Sequence, residues 1–189
     1  MALIIINGAP GAGKTTLVRK LAKDLQVGYI TKDQLKELLG DTLGMPDDPN
    51  VKAVYGEAAI AALFAIISKI VQVDKDFIVE NAFWADIANK RFAEIAPSAS
   101  FIQIYLSCED AVLRQRFEKR ISDGKRHGVH GDSLYTTLTP NERINRYRPL
   151  ELSGIRTIMI DTTNFTDSDY QALVHKVQKS IRRNNEASN

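Results

Sequence analysis

The sequence predicts an α/β fold, in which a parallel sheet is covered on both faces by helices. Two observations support this class. Short, continuously apolar runs of the kind that form buried parallel strands recur along the chain. Segments with helical periodicity separate these runs, and strands that alternate with helices are joined by crossovers into a parallel sheet. The length of 189 residues fits one such domain with a small lid.

Five apolar runs are the candidate strands. They do not show the strict polar–apolar alternation of a half-exposed strand, so we expect them to be buried on both faces. They are the segments 3–6, 28–31, 77–80, 101–106 and 156–160.

Helical patterns fill the intervals between the strands. The third helix is the longest and has one wide apolar face. Two later helices begin with capping signals, at Thr139 with Glu142 and at Thr166 with Asp169. The apolar residues that mark the first five helices lie in the segments 17–25, 35–39, 51–71, 87–95 and 113–121.

One segment interrupts this alternation. Residues 122–138 replace the periodic pattern with glycines, charges and histidines, which is typical of a functional lid or of disorder. The C-terminal residues 184–189 have nothing to pack and are predicted to be disordered. We therefore predict a single domain over residues 1–183, with a lid at about 122–138.

The composition excludes several classes of protein. A net charge of +2 is too small to indicate nucleic-acid or membrane binding by itself. The single cysteine, Cys108, excludes an internal disulfide framework and suits a reducing compartment. No targeting segment is visible, and the apolar region 51–73 carries Lys52, Glu57 and Lys69, which makes it a poor membrane span. We predict a cytoplasmic protein without a membrane partner.

The strongest local signal is the octet "GAPGAGKT", which fits the phosphate-binding pattern G-x-x-x-x-G-K-[ST] between a strand and a helix. Its glycines allow backbone N–H groups to point at phosphate oxygens above a helix N-terminus. Lys14 would reach the β- and γ-phosphates, and Thr15 would ligate Mg²⁺. An ordinary strand–turn–helix corner is the alternative. The predicted nucleotide-binding residues here are Gly8, Ala9, Pro10, Gly11, Ala12, Gly13, Lys14, Thr15 and Thr16.

Asp33 follows the second strand, at the edge of the sheet where ligands bind in doubly wound folds. A carboxylate at this place can accept the proton of an attacking hydroxyl, or orient that hydroxyl. Asp is also a preferred helix N-cap, and the two roles are compatible, so position alone does not decide between them.

Glu80 ends the third strand, at a place where a carboxylate often holds a Mg²⁺-bound water. The alternative is that Glu80 is a solvated residue at the end of the strand. Asn81 and Trp84 follow on the same edge and could line a substrate pocket. For Trp84 alone, a core or capping role is the simpler interpretation.

A basic run from Arg114 to Arg126 leads into the lid segment. Arg116 and Arg120 are four residues apart and share one helix face. Next to a phosphate-binding loop, such a pair suits the stabilisation of charge on a transferring phosphoryl group. A solvated, self-repelling helix face is the alternative.

The segments "IIINGAPGAGKTT", "ITKD", "FIVEN" and "LRQRFEKR…GKRHGVHGD" together resemble the small P-loop kinases of the nucleoside monophosphate kinase-like group. Its chloramphenicol phosphotransferase-like, gluconate kinase-like and polynucleotide kinase-like members are the nearest in pattern. The resemblance extends from Ile4 to about Asp161. It implies a three-layer α/β/α P-loop NTPase fold, with five parallel strands in the order 2-3-1-4-5 and a small lid.

The resemblance also implies roles for individual residues. Asp33 would meet the acceptor, and Glu80 would lie near Mg²⁺ and hold it through water, although the group more often has Asp there. Asn81 and Trp84 remain substrate-pocket candidates from their position.

For the lid and the nucleotide, the resemblance implies that Arg116 stacks on adenine and Arg120 contacts phosphates. Arg126 would be a further lid contact. The loop after the last strand would contact the adenine through Asp161, Thr162 and Thr163.

We therefore predict an ATP- and Mg²⁺-dependent phosphotransferase that acts on a hydroxyl of a small molecule, as a monomer or homodimer. The alternatives are a polynucleotide 5'-hydroxyl kinase and a non-catalytic ATP-binding switch protein. A GTPase-like module would need a guanine-reading N/T-K-x-D loop, which the sequence lacks.

Some candidates stay without a secure role. His127 and His130 form an H-x-x-H pattern. A zinc site needs more ligands than these two histidines and Cys108 supply, so we interpret the histidines as lid residues near phosphate. The arginines of "NERINRYR", at 143, 146 and 148, could contact substrate or phosphate.

Overall fold

The fold is built around one parallel sheet. The computed structural model describes residues 2–187 except 74, 96–99, 125 and 131–136. The strands have the order β2-β3-β1-β4-β5, which confirms the predicted topology. Their bounds are β1 (Ala2–Gly8), β2 (Gly28–Thr31), β3 (Phe77–Glu80), β4 (Ser100–Ser107) and β5 (Arg156–Asp161).

Helices cover both faces of the sheet. The bounds of those that the structure describes are α1 (Lys14–Leu25), α2 (Lys32–Leu43), α3 (Pro49–Ile70), α4 (Ala85–Ile95), α5 (Asp110–Ser122), α6 (Pro140–Arg146) and α7 (Asp167–Ala187). Both predicted capping boxes are present. Thr139 accepts from the Glu142 N–H at the start of α6, and Thr166 accepts from the Asp169 N–H before α7.

The two faces of β1 belong to two hydrophobic layers. Ile4 and Ile6 pack with apolar residues of α1 and α7 on one side of the sheet. Leu3 and Ile5 pack with α3 and α4 on the other side. Since β1 is buried on both faces, its continuous apolar sequence follows directly from its central position.

The parallel register brings the functional segments to one edge. Ile6 of β1 pairs with Glu80 of β3, and Thr31 of β2 also pairs with Glu80. The phosphate-binding octet, the start of α2 and the end of β3 therefore meet at the carboxyl ends of three adjacent strands.

The long helix α3 packs on the sheet through Leu63, Phe64 and Ile67. The wide apolar face that the sequence predicts is only partly covered, because Val51 and Val54 are exposed. Among the described residues, α3 alone is long and apolar enough to cross a membrane by length and composition. This is weak support for a membrane role, since core helices of soluble proteins pass the same test.

The prediction of a disordered tail over residues 184–189 is wrong for 184–187, because α7 continues to Ala187. A helix that is already nucleated extends at little cost, because each added residue contributes a backbone hydrogen bond. Residues 188–189 lie outside the described residues, as do 125 and 131–136 of the predicted lid.

Candidate active site

The phosphate-binding loop has the backbone that its glycines permit. Gly8, Gly11 and Gly13 all have positive φ angles, of 143°, 90° and 85°. A Cβ on Gly8 would lie 2.4 Å from the carbonyl oxygen of Leu106, so no other residue fits there. Gly13 is the N-cap of α1 and has no side chain to cap the first-turn N–H groups. These groups are suited to binding an anion.

Lys14 begins α1 and is buried. Its Nζ donates to the carbonyl oxygen of Ala9, 3.0 Å away across the loop. Burial lowers the pKa of Lys14, while the negative charges of Glu80 and Asp33 act in the opposite direction. An incoming phosphate would supply the partner charge that this buried ammonium lacks.

Glu80 lies beside the start of α1. The Thr15 hydroxyl donates to its carboxylate at 3.4 Å, and Glu80 is only 4% exposed. Burial raises the pKa of Glu80 to about 7, despite the opposing charge of Lys14. The alternative of a solvated strand end is therefore wrong. A hydroxyl and a carboxylate are hard oxygen ligands, and such a pair fits Mg²⁺.

Asp33 lies in the first turn of α2 and does not cap it. The N-cap is Thr31, whose hydroxyl accepts from the Gln34 N–H while the Gln34 side chain accepts from the Thr31 N–H. The Asp33 side chain therefore does not cap the helix. It lines the cavity and is 53% exposed. Burial would raise the pKa of Asp33, but the nearby charges of Lys32, His130 and Lys14 lower it overall. The carboxylate is ionised at neutral pH.

The arginine pair of α5 divides between two places. Arg116 donates to the carbonyl oxygens of Thr162 and Thr163, at 2.8 and 3.3 Å. Arg116 thus joins α5 to the loop after β5, and it does not line the cavity. Arg120 lines the cavity, together with Arg126.

Residues 126–130 of the lid are docked on α2. The His127 ring lies 3.1 Å from the Asp41 carboxylate, and the His130 ring lies 2.9 Å from that of Glu37. Between them, the fully buried Val129 sits against Gly40. Sequence reasoning missed this docking. Its signal was the spacing of acidic residues at 33, 37 and 41, which places them on one face of α2.

Replacement of Gly40 by leucine is expected to loosen the lid, because even a Cβ at Gly40 would lie 3.1 Å from that of Val129. Tryptic cleavage after Arg126 should then become on the order of tenfold faster, since local opening controls proteolysis. Thr42→Leu adds the same side chain at an exposed position of α2 and should leave the rate unchanged. Equal cleavage rates in both variants would show that the Gly40 contact does not hold the lid.

Within the ranges that the structure describes, no three His, Cys, Asp or Glu side chains are grouped to hold a metal ion. His127 and His130 each face a carboxylate of α2, and His130 also lines the cavity.

A cavity of about 930 Å³ joins these groups. Trp84 lies on its wall, 47% exposed, so the interpretation of Trp84 as a core residue is wrong. The backbone carbonyl of Trp84 does accept the first hydrogen bond of α4, from Ala88. Arg146 lies over the Trp84 ring at 4.5 Å, and Tyr147 adjoins them in the cavity wall.

The other two arginines of this segment make ion pairs within the fold. Arg143 pairs with Asp110 at 2.6 Å, and Arg148 pairs with Asp86 at 2.6 Å. Both join α6 or its following turn to neighbouring helices.

The cavity brings together most of the predicted site residues. Those that line it are Pro10, Gly11, Gly13, Lys14, Thr15, Thr16, Asp33, Glu80, Asn81, Trp84, Arg120 and Arg126. Those that do not line it are Gly8, Ala9, Ala12, Arg116, Thr162 and Thr163.

The sequence matches one family model, described as an AAA domain, over residues 3–139. No protein of curated function matches the chain. A crystal structure of a candidate kinase from Chloroflexus aurantiacus is 32% identical, covers 95% of this chain and 97% of its own, and superposes with a TM-score of 0.81.

More distant structures share the fold alone. A gluconokinase from Sinorhizobium meliloti is 16% identical over 97% of each chain, with a TM-score of 0.58. A shikimate kinase from Bacteroides thetaiotaomicron is 15% identical over 96% of this chain and 98% of its own, with a TM-score of 0.61. The resemblance to small P-loop kinases is thereby confirmed at the level of family and fold.

Proposed function

Because this chain belongs to the AAA domain family and has the fold of small P-loop kinases, we propose that it transfers the γ-phosphate of ATP to a hydroxyl of a small molecule. One observation supports this function above others. The phosphate-binding loop and an ionised carboxylate, Asp33, line the same cavity from different elements. A nucleotide switch has no need of a partly apolar cavity that extends from its phosphate site to a carboxylate.

The donor half is the loop and the start of α1. Backbone N–H groups and Lys14 would hold the β- and γ-phosphates. Mg²⁺ would be held by the Thr15 hydroxyl and, through water, by Glu80, and when bound it neutralises charge on the phosphates.

The acceptor half begins at Asp33. Its carboxylate would take or steer the proton of the attacking hydroxyl. Lys14 and Arg120 would stabilise the charge on the transferring group. Arg116, held against Thr162 and Thr163, would form the adenine side of the site. Closure of the lid would exclude water from the transfer.

We propose that the protein is cytoplasmic and acts as a monomer or homodimer without a membrane partner. We also propose that residues 1–183 form a single domain, with a lid at 122–138.

Replacement of Glu80 by glutamine is expected to stabilise the ligand-free protein at alkaline pH. The pKa of Glu80 rises from 4.5 to about 7 on folding, so the protonated form is favoured in the fold. The stabilisation is complete below pH 4.5 and is lost as the pH rises through 7. At pH 8, the loss amounts to about 3 kcal/mol at most. Thermal unfolding from pH 5 to 8 should therefore show a flatter pH profile for Glu80→Gln than for the wild type.

The control for this comparison is Glu57→Gln, which removes an exposed carboxylate at the rim of the same cavity. Glu80→Gln should also lose the stabilisation that Mg²⁺ and ATP give together. A Glu80→Gln protein whose unfolding follows the wild-type pH profile would contradict the buried-carboxylate assignment.

The function is tested by ADP formation with Mg²⁺, ATP and grouped acceptors: sugars, sugar acids, aromatic alcohols, nucleosides and a 5'-hydroxyl oligonucleotide. ADP release that needs a small hydroxyl compound supports the proposal. Release that needs only the oligonucleotide would favour a polynucleotide kinase. Tight ATP binding with no transfer to any acceptor would favour a non-catalytic ATP sensor.

A further inference from the structure

Lys36 of α2 is a buried lysine on the wall of the cavity. Lys36 as a whole is only 7% exposed. In the described ranges, no side chain or backbone group makes a hydrogen bond or an ion pair with its ammonium. The opposing position on α3 is Gly56, where a Cβ would lie 3.7 Å from Lys36 Nζ. The helix interface thus leaves room for the ammonium and gives it no partner.

The neighbouring charges do not satisfy Lys36. Burial is the main reason that the pKa of Lys36 is lowered to about 8; the charges of Lys32, Arg126 and Lys52 act in the same direction, and Asp33 opposes them. An ammonium that faces a cavity from a largely buried side chain and has no protein partner is expected to meet an anion there.

The nucleotide is an unsuitable partner for Lys36, because the donor end of the cavity already has Lys14 and Arg120. Lys36 follows Asp33 by one helical turn, which places both side chains on one face of α2. An anionic group at Lys36 would therefore lie close to the hydroxyl that Asp33 receives.

Much of the cavity wall is apolar and aromatic. Trp84, Tyr147, Phe64 and Phe83 line the cavity, and so do smaller aliphatic side chains of α3 and α4. Such walls favour a ring-bearing or aliphatic body over a fully hydroxylated one.

We propose that the acceptor is an amphipathic anion, with a hydroxyl at Asp33, a carboxylate-like group at Lys36 and an apolar or aromatic body against Trp84. Lys36 is then the residue that selects anionic over neutral acceptors. This inference rests on the proposed function, since it treats the chamber beside Asp33 as the acceptor site.

The test is a binding titration with benzoate and its neutral analogue benzamide, in the presence of saturating Mg²⁺ and ADP so that the phosphate loop is occupied. Trp84 is the only tryptophan in the chain and lines the cavity, so its fluorescence reports occupancy directly. ADP binding is measured first. The titration needs no turnover, so failure of the kinase assay and failure of the anion preference are separate results.

Wild-type protein should bind benzoate on the order of tenfold more tightly than benzamide. Lys36→Gln and Lys36→Met should both reduce this preference to about twofold or less while leaving benzamide binding unchanged. Lys90→Gln removes an exposed lysine from α4, outside the cavity, and should keep the wild-type preference.

Three results would overturn the inference. They are equal affinity of the wild type for the two probes, a benzoate preference that survives both Lys36 substitutions, and no saturable binding of benzoate to the ADP-bound wild type.

Discussion

Lys14→Ala should lose both ATP binding and phosphoryl transfer. In the ligand-free protein the Lys14 ammonium is buried and donates to the carbonyl of Ala9 within the loop. Its removal takes away the one lysine of the loop that can reach the transferable phosphate. Removal of a single charge-stabilising donor costs on the order of 10²–10³ in kcat, and the loss of the phosphate contact should weaken ATP binding as well.

The measurement pairs calorimetric ATP titration with the ADP assay. Lys20→Ala is the matched control, because Lys20 lies on the exposed side of the same helix and pairs with Asp167. The control should retain wild-type binding and turnover. Full turnover by Lys14→Ala would contradict the role of the loop as a phosphate site.

Asp33→Asn should separate binding from chemistry. The amide keeps the shape of the side chain but cannot take a proton, so kcat should fall on the order of 10²–10⁴-fold. ATP affinity should stay within about twofold, since the loop that holds the phosphates is untouched. The helix should be unaffected, because Thr31 and Gln34 form the capping box at its start.

Single-turnover kinetics measure this step without product release. Asp47→Asn changes an exposed carboxylate on the connection between α2 and α3 and serves as the control. Unchanged transfer in Asp33→Asn, with ATP still bound, would show that another group steers the acceptor hydroxyl.

The features that the sequence predicted well are those whose signal is local. The loop octet, the apolar strands and the two capping boxes each depend on residues within about ten positions of one another. Their physics does not require a distant partner. The strand order came instead from the resemblance to small P-loop kinases, and the structure confirms it.

The features that escaped prediction depend on contacts between distant segments. Asp33 and Thr31 are both good capping residues, and only the pairing of Thr31 with Gln34 decides which of them caps α2. Arg116 and Arg120 share a helix face in the sequence, yet one is held by the loop after β5 and the other lines the cavity.

Lys36 shows the same limit most clearly. In the sequence it is one lysine among the many charges of an amphipathic helix, with nothing to distinguish it from Lys32. Its burial depends on α3 packing beside it at Gly56, and its exposure to the cavity depends on the width of the chamber. Neither can be read from spacing along α2.

The most direct test of the central proposal is an untargeted search for phosphorylated products. Wild-type and Asp33→Asn proteins are each incubated with Mg²⁺, ATP and a small-molecule extract, and the products are compared by mass spectrometry. We expect a compound that gains one phosphoryl group with the wild type and not with Asp33→Asn. ATP binding without any such compound, or equal product from both proteins, would contradict a kinase whose acceptor is received at Asp33.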